Sequence, residues 1–183
     1  MNDDSPSIRK QYERRGSDQF YRESGASYRN PHETELIAAL DEALNRWQPD
    51  LTHVLDLAAG SGELTLALRA RAAEKIHGID PYTFEAYEAR TGQIAERFTF
   101  DDIMDGALAG RRYSLIGCSF AMHLCEQSKL PALCLQLSMI ATSLLILTPH
   151  KRPVIREEWG WKLVGEFVEQ RVRARFYRSN IMA

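Results

Sequence analysis

The chain has 183 residues, of which 44% are hydrophobic and 26% charged, and its formal net charge is −2 at pH 7. That length suffices for one domain with a sizeable core, and the near-neutral charge excludes a general attraction to nucleic acid or to an anionic membrane. No apolar run is long enough to span a bilayer, and the polar, acidic N-terminus is not a signal peptide, so we expect a cytoplasmic protein, with the nucleus as the alternative location.

The cysteines do not form a metal-binding pattern. Cys118, Cys125 and Cys134 lie in apolar stretches, and their spacing is not that of zinc ligands. We therefore predict three reduced, buried thiols and no bound metal.

Residues 1–27 are predicted to form a partly flexible segment ahead of a single domain over residues 28–183. The segment mixes polar and aromatic residues, and a short helix over residues 8–15 is interrupted by Gly16 and Gly25. Because loops beside a ligand site often carry function, this segment is a candidate lid.

A helix start follows the segment. Asn30 is predicted as the N-cap, Pro31 as the first helical residue and Glu33 as the partner in a capping box, with apolar positions at helical spacing up to Trp47. This helix leads into the first strand, so its start lies at the carboxyl edge of the sheet, where open α/β sheets bind ligands. Tyr28 and His32 are therefore candidate substrate contacts, and the alternative is a plain capping turn with a packed Tyr28.

Residues 53–65 predict a buried parallel strand, a glycine turn at Gly60 and Gly62, and a helix. Such a turn presents backbone N–H groups and a helix N-terminus to a ligand. Thr65 stands where the dinucleotide fingerprint needs its third glycine, and Asp56 would repel a pyrophosphate but accept bonds from an amino group. The pattern favours a cationic nucleotide bearing an amino acid over NAD.

The next strand covers residues 75–80 and ends in Asp80. This acid lies about 20 residues beyond the glycine turn, the spacing at which a βαβ unit places a carboxylate over ribose hydroxyls.

Further strands are predicted over residues 95–100, 113–120 and 143–148, and residues 161–169 and 172–177 predict a terminal hairpin. With the two strands before them they make a three-layer α/β sandwich, doubly wound around a mostly parallel seven-stranded sheet with an antiparallel C-terminal hairpin strand. Arg171, Arg173 and Arg175 alternate with apolar residues, so one face of the hairpin is predicted to be basic.

The run from Leu55 to Gly62 resembles the first motif of class I S-adenosylmethionine-dependent methyltransferases, hydrophobic-Asp-hydrophobic-Gly-x-Gly-x-Gly. Ala58 replaces the first glycine, which is tolerable if its φ is negative. The resemblance covers residues 31–179 and implies a small single-domain, Rossmann-like methyltransferase with S-adenosylmethionine as cofactor.

The resemblance also implies roles for single residues. Asp56 would bind the methionyl amine, Asp80 the ribose and Asp102 the adenine amino group, with Ile103 on the adenine ring and Asp101 as the alternative acid. The implied cofactor-binding residues are Asp56, Ala58, Gly60, Gly62, Asp80, Pro81, Asp102, Ile103, Ser119 and Phe120.

The reacting edge gathers further polar residues. His123 is the candidate general base, because its segment borders the methyl group in the resembled family, and the alternative is a capping or packing histidine. His150, Lys151 and Arg152 follow the strand over residues 143–148 and are candidates to hold an anionic substrate, or else solvated surface groups.

The leading interpretation is methyl transfer to a small, anionic molecule. The segment after residue 119 lacks the Asn/Asp-Pro-Pro-Tyr/Phe sequence of base-modifying enzymes, which disfavours nucleic acid. RNA or protein methylation and a non-catalytic partner subunit are the alternatives, and the sequence leaves the oligomeric state open.

Overall fold

The computed structural model describes Gly25 and residues 28–182. The helix predicted over residues 8–15 lies outside them, as does the lid predicted for residues 1–27 apart from Gly25. The helices are α1 (Glu33–Trp47), α2 (Glu63–Arg69), α3 (Phe84–Thr91), α4 (Phe100–Met104) and α5 (Leu130–Ser138), with 3₁₀ turns at Met122–Leu124 and Glu157–Trp159. The strands are β1 (His53–Leu57), β2 (Lys75–Ile79), β3 (Leu115–Ser119), β4 (Ser143–Thr148), β5 (Trp161–Glu169) and β6 (Val172–Ser179).

The strands form one sheet in the order β2-β1-β3-β4-β6-β5. The first four strands are parallel, with Asp56 of β1 level with Gly78 of β2 and Gly117 of β3. β6 runs antiparallel to both β4 and β5. The predicted α/β fold with its antiparallel terminal hairpin is confirmed, and the parallel strand ends share one edge.

The sheet has six strands among the described residues, so the prediction of a strand over residues 95–100 is wrong. Only Glu96 pairs there, in a single bridge to Ile79, the last residue of β2. The chain then leaves the sheet because the Thr99 side chain caps α4, which begins at Phe100.

Helices cover both faces of the sheet, as a three-layer sandwich requires. On one face, Leu36 and Leu40 of α1 are buried against Val54, and on the other, Leu133 and Leu137 of α5 belong to the core that contains Leu55. The alternation of Val54 and Leu55 along β1 produces these two cores, because successive strand side chains point to opposite faces.

The helix start was predicted two residues too early. The N-cap of α1 is His32 and makes no side-chain capping bond, and Asn30 instead accepts a 2.9 Å bond from the His32 N–H. Glu33 pairs with Arg90 of α3 rather than completing a capping box.

The predictions about the cysteines and about membrane spans can be compared with the structure within the described part of the chain. All three cysteines are buried and free, and the described residues contain no cluster that could hold a metal ion. No helix among residues 28–182 is long and apolar enough to cross a membrane.

Candidate active site

A cavity of about 660 Å³ opens at the carboxyl edge of the parallel strands. Its walls come from residues 57–60 at the end of β1, 80–83 after β2, 98–101 before and within α4, 119–121 at the end of β3, and 124–126, together with Glu63 and Lys129. Tyr28 and Asn30, which precede α1, complete the wall, as the direction of that helix predicted.

The turn after β1 holds three residues in left-handed conformations: Ala58 (φ 55°), Gly60 (φ 59°) and Gly62 (φ 86°). The condition under which alanine would be tolerated at position 58, a negative φ, is therefore not met, and this alanine is strained where the family pattern has glycine. Gly60 faces the cavity, whereas a Cβ at Gly62 would lie 2.3 Å from the Thr91 methyl group. Gly62 thus permits close packing of α2 against α3 and does not line the cavity.

Asp80 is buried and fastened to the glycine turn. Its Oδ2 accepts a 3.0 Å bond from the Gly60 N–H, and its Oδ1 accepts bonds from the N–H groups of Tyr82 (2.9 Å) and Thr83 (2.7 Å). Thr83 Oγ1 returns a 2.8 Å bond to the Gly60 carbonyl. Asp80 therefore both lines the cavity and fixes the shape of the turn.

Asp56 does not reach the cavity, contrary to its predicted contact with an amine. Its side chain is completely buried beneath the turn, where Oδ2 accepts a 2.7 Å bond from Thr65 Oγ1, which is also 3.1 Å from the Tyr87 hydroxyl. Oδ1 has no partner among the described residues. Burial raises the pKa of Asp56 to about 7, and the nearby charge of Glu63 adds to the rise.

Glu63, the first residue of α2, lines the cavity and was missed by the sequence analysis. Its Oε1 accepts a 3.0 Å bond from the Asn30 N–H and a bond from Ser61 Oγ, and it lies 3.1 Å from Arg90 Nη1. The available signal was an acid directly after the last glycine of the turn, at a helix N-terminus where a carboxylate is stabilised.

At the other end of the cavity, Asp101, the alternative acid, lies in the wall, whereas Asp102 does not. Asp101 lines the cavity and pairs with Lys129 at 2.9 Å. The Asp102 carboxylate instead completes a capping box with Thr99, and its pKa is lowered by the bonds that it accepts from Thr99.

The apolar wall at that end also differs from the prediction. Ile103 is buried in the core at 1% exposure and does not reach the cavity. Phe98 and Phe100 line the wall in its place, because α4 begins at Phe100 and turns Ile103 inward.

The end of β3 brings Ser119 and Phe120 to the cavity. Phe120 has a φ of 55°, uncommon for a bulky residue, and its ring stacks on His32 with centroids 6.0 Å apart. Strain of this kind is often found at functional sites. His32 itself lies outside the cavity wall.

The candidate base and the candidate anion-binding residues do not lie in the wall of the cavity. The His123 and His150 rings are in contact, with centroids 4.2 Å apart, and His123 Nδ1 is buried with no partner among the described residues. Burial lowers the pKa of His123 to about 4, with a further contribution from His150. Lys151 and Arg152 are exposed.

The predicted residues thus divide into two groups. Those that line the cavity are Tyr28, Ala58, Gly60, Asp80, Pro81, Ser119 and Phe120. Those that do not line it are His32, Asp56, Gly62, Asp102, Ile103, His123, His150, Lys151 and Arg152. The strand ends and turns were located correctly, and the departures concern which neighbouring side chain turns inward.

The comparison with known sequences finds one relative over nearly the whole chain. It is the uncharacterized protein C17A5.05c of Schizosaccharomyces pombe, 33% identical, in an alignment that covers 90% of this chain and 89% of the relative. No family model matches the chain.

Solved structures share the fold at low sequence identity. A TehB-like methyltransferase from Corynebacterium glutamicum covers 96% of this chain and 100% of its own length with a TM-score of 0.60 at 14% identity. Magnesium protoporphyrin IX methyltransferase from Synechocystis PCC 6803, solved with bound S-adenosylhomocysteine, covers 94% and 98% with a TM-score of 0.58 at 16% identity. The predicted resemblance to the class I methyltransferase fold is confirmed.

Proposed function

We propose that this chain, which belongs to the same family as the fission-yeast protein C17A5.05c, binds S-adenosylmethionine and transfers its methyl group to a small molecule. The observation that carries the proposal is an acid-rich cavity at the carboxyl edge of a sheet with the class I methyltransferase fold. In open α/β sheets this edge is where ligands bind.

The charges and size of the cavity fit this cofactor. The charged residues in its described walls are four acids and one lysine, namely Glu63, Asp80, Asp101, Glu126 and Lys129. The cofactor carries a sulfonium and an ammonium group, so an excess of carboxylates attracts it. The volume of about 660 Å³ lies within the range of small-molecule sites.

Each part of the wall suits one part of the cofactor. Asp80 Oδ2 accepts one backbone bond and keeps lone pairs for a ribose hydroxyl. Phe98 and Phe100 provide an apolar wall for a planar base, and Asp101 provides an acceptor for an exocyclic amino group. When bound, the cofactor supplies an activated methyl group, and the residues around it supply orientation.

The acceptor is proposed to bind beside Phe120, which lines the cavity and whose N–H bonds to the carbonyl of Leu147 near the end of β4. Lys151 and Arg152 are exposed on the loop that follows β4, and we assign to them a carboxylate or phosphate of the acceptor. Arg175 holds the loop in place, since it donates 2.7 Å bonds to the carbonyls of Lys151 and Pro153.

The hairpin favours a small acceptor over RNA. Arg173 and Arg175 of the predicted basic face both pair with Glu166, and Arg175 is only 4% exposed. Two of the three arginines are therefore occupied within the protein, which leaves little positive surface there for phosphates.

Two measurements test the proposal. Calorimetric titration with S-adenosylmethionine and S-adenosylhomocysteine should show binding at one site. Transfer of labelled methyl groups should then appear in a metabolite extract and not in RNA or protein fractions. Binding without transfer to any fraction would favour the non-catalytic partner subunit, and absence of binding would contradict the proposal.

The anionic acceptor is tested separately. Reversing the charges of Lys151 and Arg152 to glutamate should weaken use of the acceptor and leave cofactor affinity unchanged. Equal loss of both would remove these residues from the acceptor site.

A further inference from the structure

Glu63 holds a buried carboxylate, and the described residues engage only one of its two oxygens. The residue is 3% exposed, and its described hydrogen bonds from Asn30 and Ser61 and its ion pair with Arg90 all use Oε1. Oε2 takes part in none of the hydrogen bonds among the described residues, and it lies 3.3 Å from the point that a Cβ on Gly60 would occupy. An oxygen with this position can accept a bond from a ligand that lies along the turn.

The contacts along the wall place Glu63 at one end of the cavity. Asn30 bonds to Glu63, and the Tyr28 ring lies against Gly60, 3.3 Å from the same Cβ point. Gly60 in turn bonds to Asp80, so the order along the wall is Glu63, Gly60, Asp80. A nucleoside with its ribose at Asp80 and its base toward Phe98 therefore directs its remaining substituent to Glu63.

We propose that Glu63 binds the ammonium group of the cofactor's methionyl half, the role that the sequence pattern gave to Asp56. This inference rests on the proposed function. Asp56 is completely buried beneath the turn, whereas Glu63 lines the cavity and lies 3.1 Å from Arg90 Nη1, whose positive charge offsets part of the cost of burying the carboxylate. A charge-assisted bond between an ammonium group and a buried carboxylate is among the stronger single contacts in a site.

The same carboxylate also fixes the N-terminal approach to α1, through its bond to Asn30. Loss of Glu63 could thus weaken binding in two ways, by removing the ammonium partner or by releasing the segment that carries Tyr28. The first affects only ligands with an amino acid, and the second affects every nucleoside in the cavity. A test must therefore compare two ligands.

The experiment measures the affinities of S-adenosylhomocysteine and of 5′-methylthioadenosine, which lacks the amino acid, by calorimetry. In Glu63→Gln, the amide oxygen can keep the contacts of Oε1 while an NH₂ donor replaces Oε2. We expect affinity for S-adenosylhomocysteine to fall by about tenfold or more, and affinity for 5′-methylthioadenosine to change by less than about twofold.

Glu33→Gln is the matched control, because Glu33 is the other carboxylate that pairs with Arg90 and it lies outside the cavity wall. It removes one negative charge from the same cluster and should leave both affinities within about twofold. Glu63→Asp retains the charge but shortens the side chain, and it should lose S-adenosylhomocysteine affinity selectively if Glu63→Gln does not fold.

The outcomes separate the two levels of the argument. Equal losses for both ligands, or no loss for either, would overturn the role of Glu63 while leaving cofactor binding intact. A wild-type protein that binds neither nucleoside would overturn the proposed function itself.

Discussion

Thr65 Oγ1 donates a 2.7 Å hydrogen bond to the buried Oδ2 of Asp56, and this bond joins α2 to the end of β1 beneath the glycine turn. A glycine at position 65, as the dinucleotide fingerprint requires, would leave that oxygen without its donor. Thr65, whose presence disfavoured a dinucleotide site in the sequence analysis, therefore helps to stabilise the glycine turn.

The buried Asp56 predicts a characteristic dependence of stability on pH. Its pKa is raised by burial from 3.8 to about 7, so the folded protein prefers the protonated acid. This contribution to the free energy of unfolding is fully present below about pH 4 and is lost as pH rises through about 7, by at most about 1.4 kcal/mol per pH unit. Asp56→Asn should remove it.

Urea unfolding between pH 5 and 8.5 measures this effect as the difference between Asp56→Asn and the wild type. His123, whose pKa is lowered to about 4, makes the free energy of unfolding rise with pH up to the ordinary pKa of histidine, which is opposite to the effect of Asp56. The difference between wild type and Asp56→Asn is therefore informative, whereas the wild-type curve alone is not. Asp50→Asn is the control, because the pKa of this exposed loop acid is lowered by its bonds to Thr52 and lies outside the pH range. Parallel curves for wild type and Asp56→Asn would show that Asp56 is ionised throughout.

Topology made part of the site predictable. The carboxyl ends of parallel strands meet at one edge of the sheet. Once the strands were recognised from their apolar runs, Gly60, Asp80 and Ser119 could therefore be predicted to lie close together, although no side-chain contact was known. The glycine turn and Asp80 could be predicted from the spacing within one βαβ unit.

The remaining assignments depended on geometry finer than the sequence pattern. Asp101 and Asp102 are neighbours, and which of them faces the cavity follows from the capping of α4 by Thr99. Glu63 resembles any acid in a first helical turn until its burial is known. The strand over residues 95–100 had suitable composition, but only Glu96 finds a partner strand.

Asp101 and Asp102 provide a matched pair of variants for the base-binding end of the cavity. Asp101→Asn should lower affinity for S-adenosylhomocysteine by several-fold, because the carboxylate lines the cavity. Asp102→Asn should leave that affinity unchanged and weaken only the capping of α4, since its carboxylate is engaged by Thr99. Calorimetry and thermal unfolding of both variants measure these effects. A larger loss of affinity in Asp102→Asn would restore the original assignment.

Ala58 predicts a substitution by glycine that does not destabilise the protein. A left-handed φ costs a non-glycine residue about 1–2 kcal/mol, which offsets the loss of a partly buried methyl group worth at most about 0.8 kcal/mol. Ala58→Gly should thus be neutral or stabilising by up to about 1 kcal/mol. The control is Ala121→Gly, since Ala121 is buried with a φ of −126° and should lose about 1 kcal/mol.

Urea unfolding at one fixed pH compares the two alanine variants directly. Because both alanines line the same cavity, a general effect of added flexibility would destabilise both proteins alike. Equal destabilisation would mean that the turn does not hold Ala58 in the left-handed region in solution.

His123 is expected to remain neutral throughout the physiological pH range. Its half-buried ring lies against His150, and burial lowers its pKa to about 4, so proton binding is unfavourable at that site. Titration of the histidine ring resonances by NMR should show one midpoint near pH 4, and His150→Asn should move that midpoint upward by removing the neighbouring charge. A neutral imidazole can accept a proton from an acceptor, but the rate of methyl transfer should then show no inflection from His123 near pH 6.5. A midpoint for His123 near 6.5 would instead indicate an open, solvated ring, and would restore the ordinary pH dependence of a histidine base.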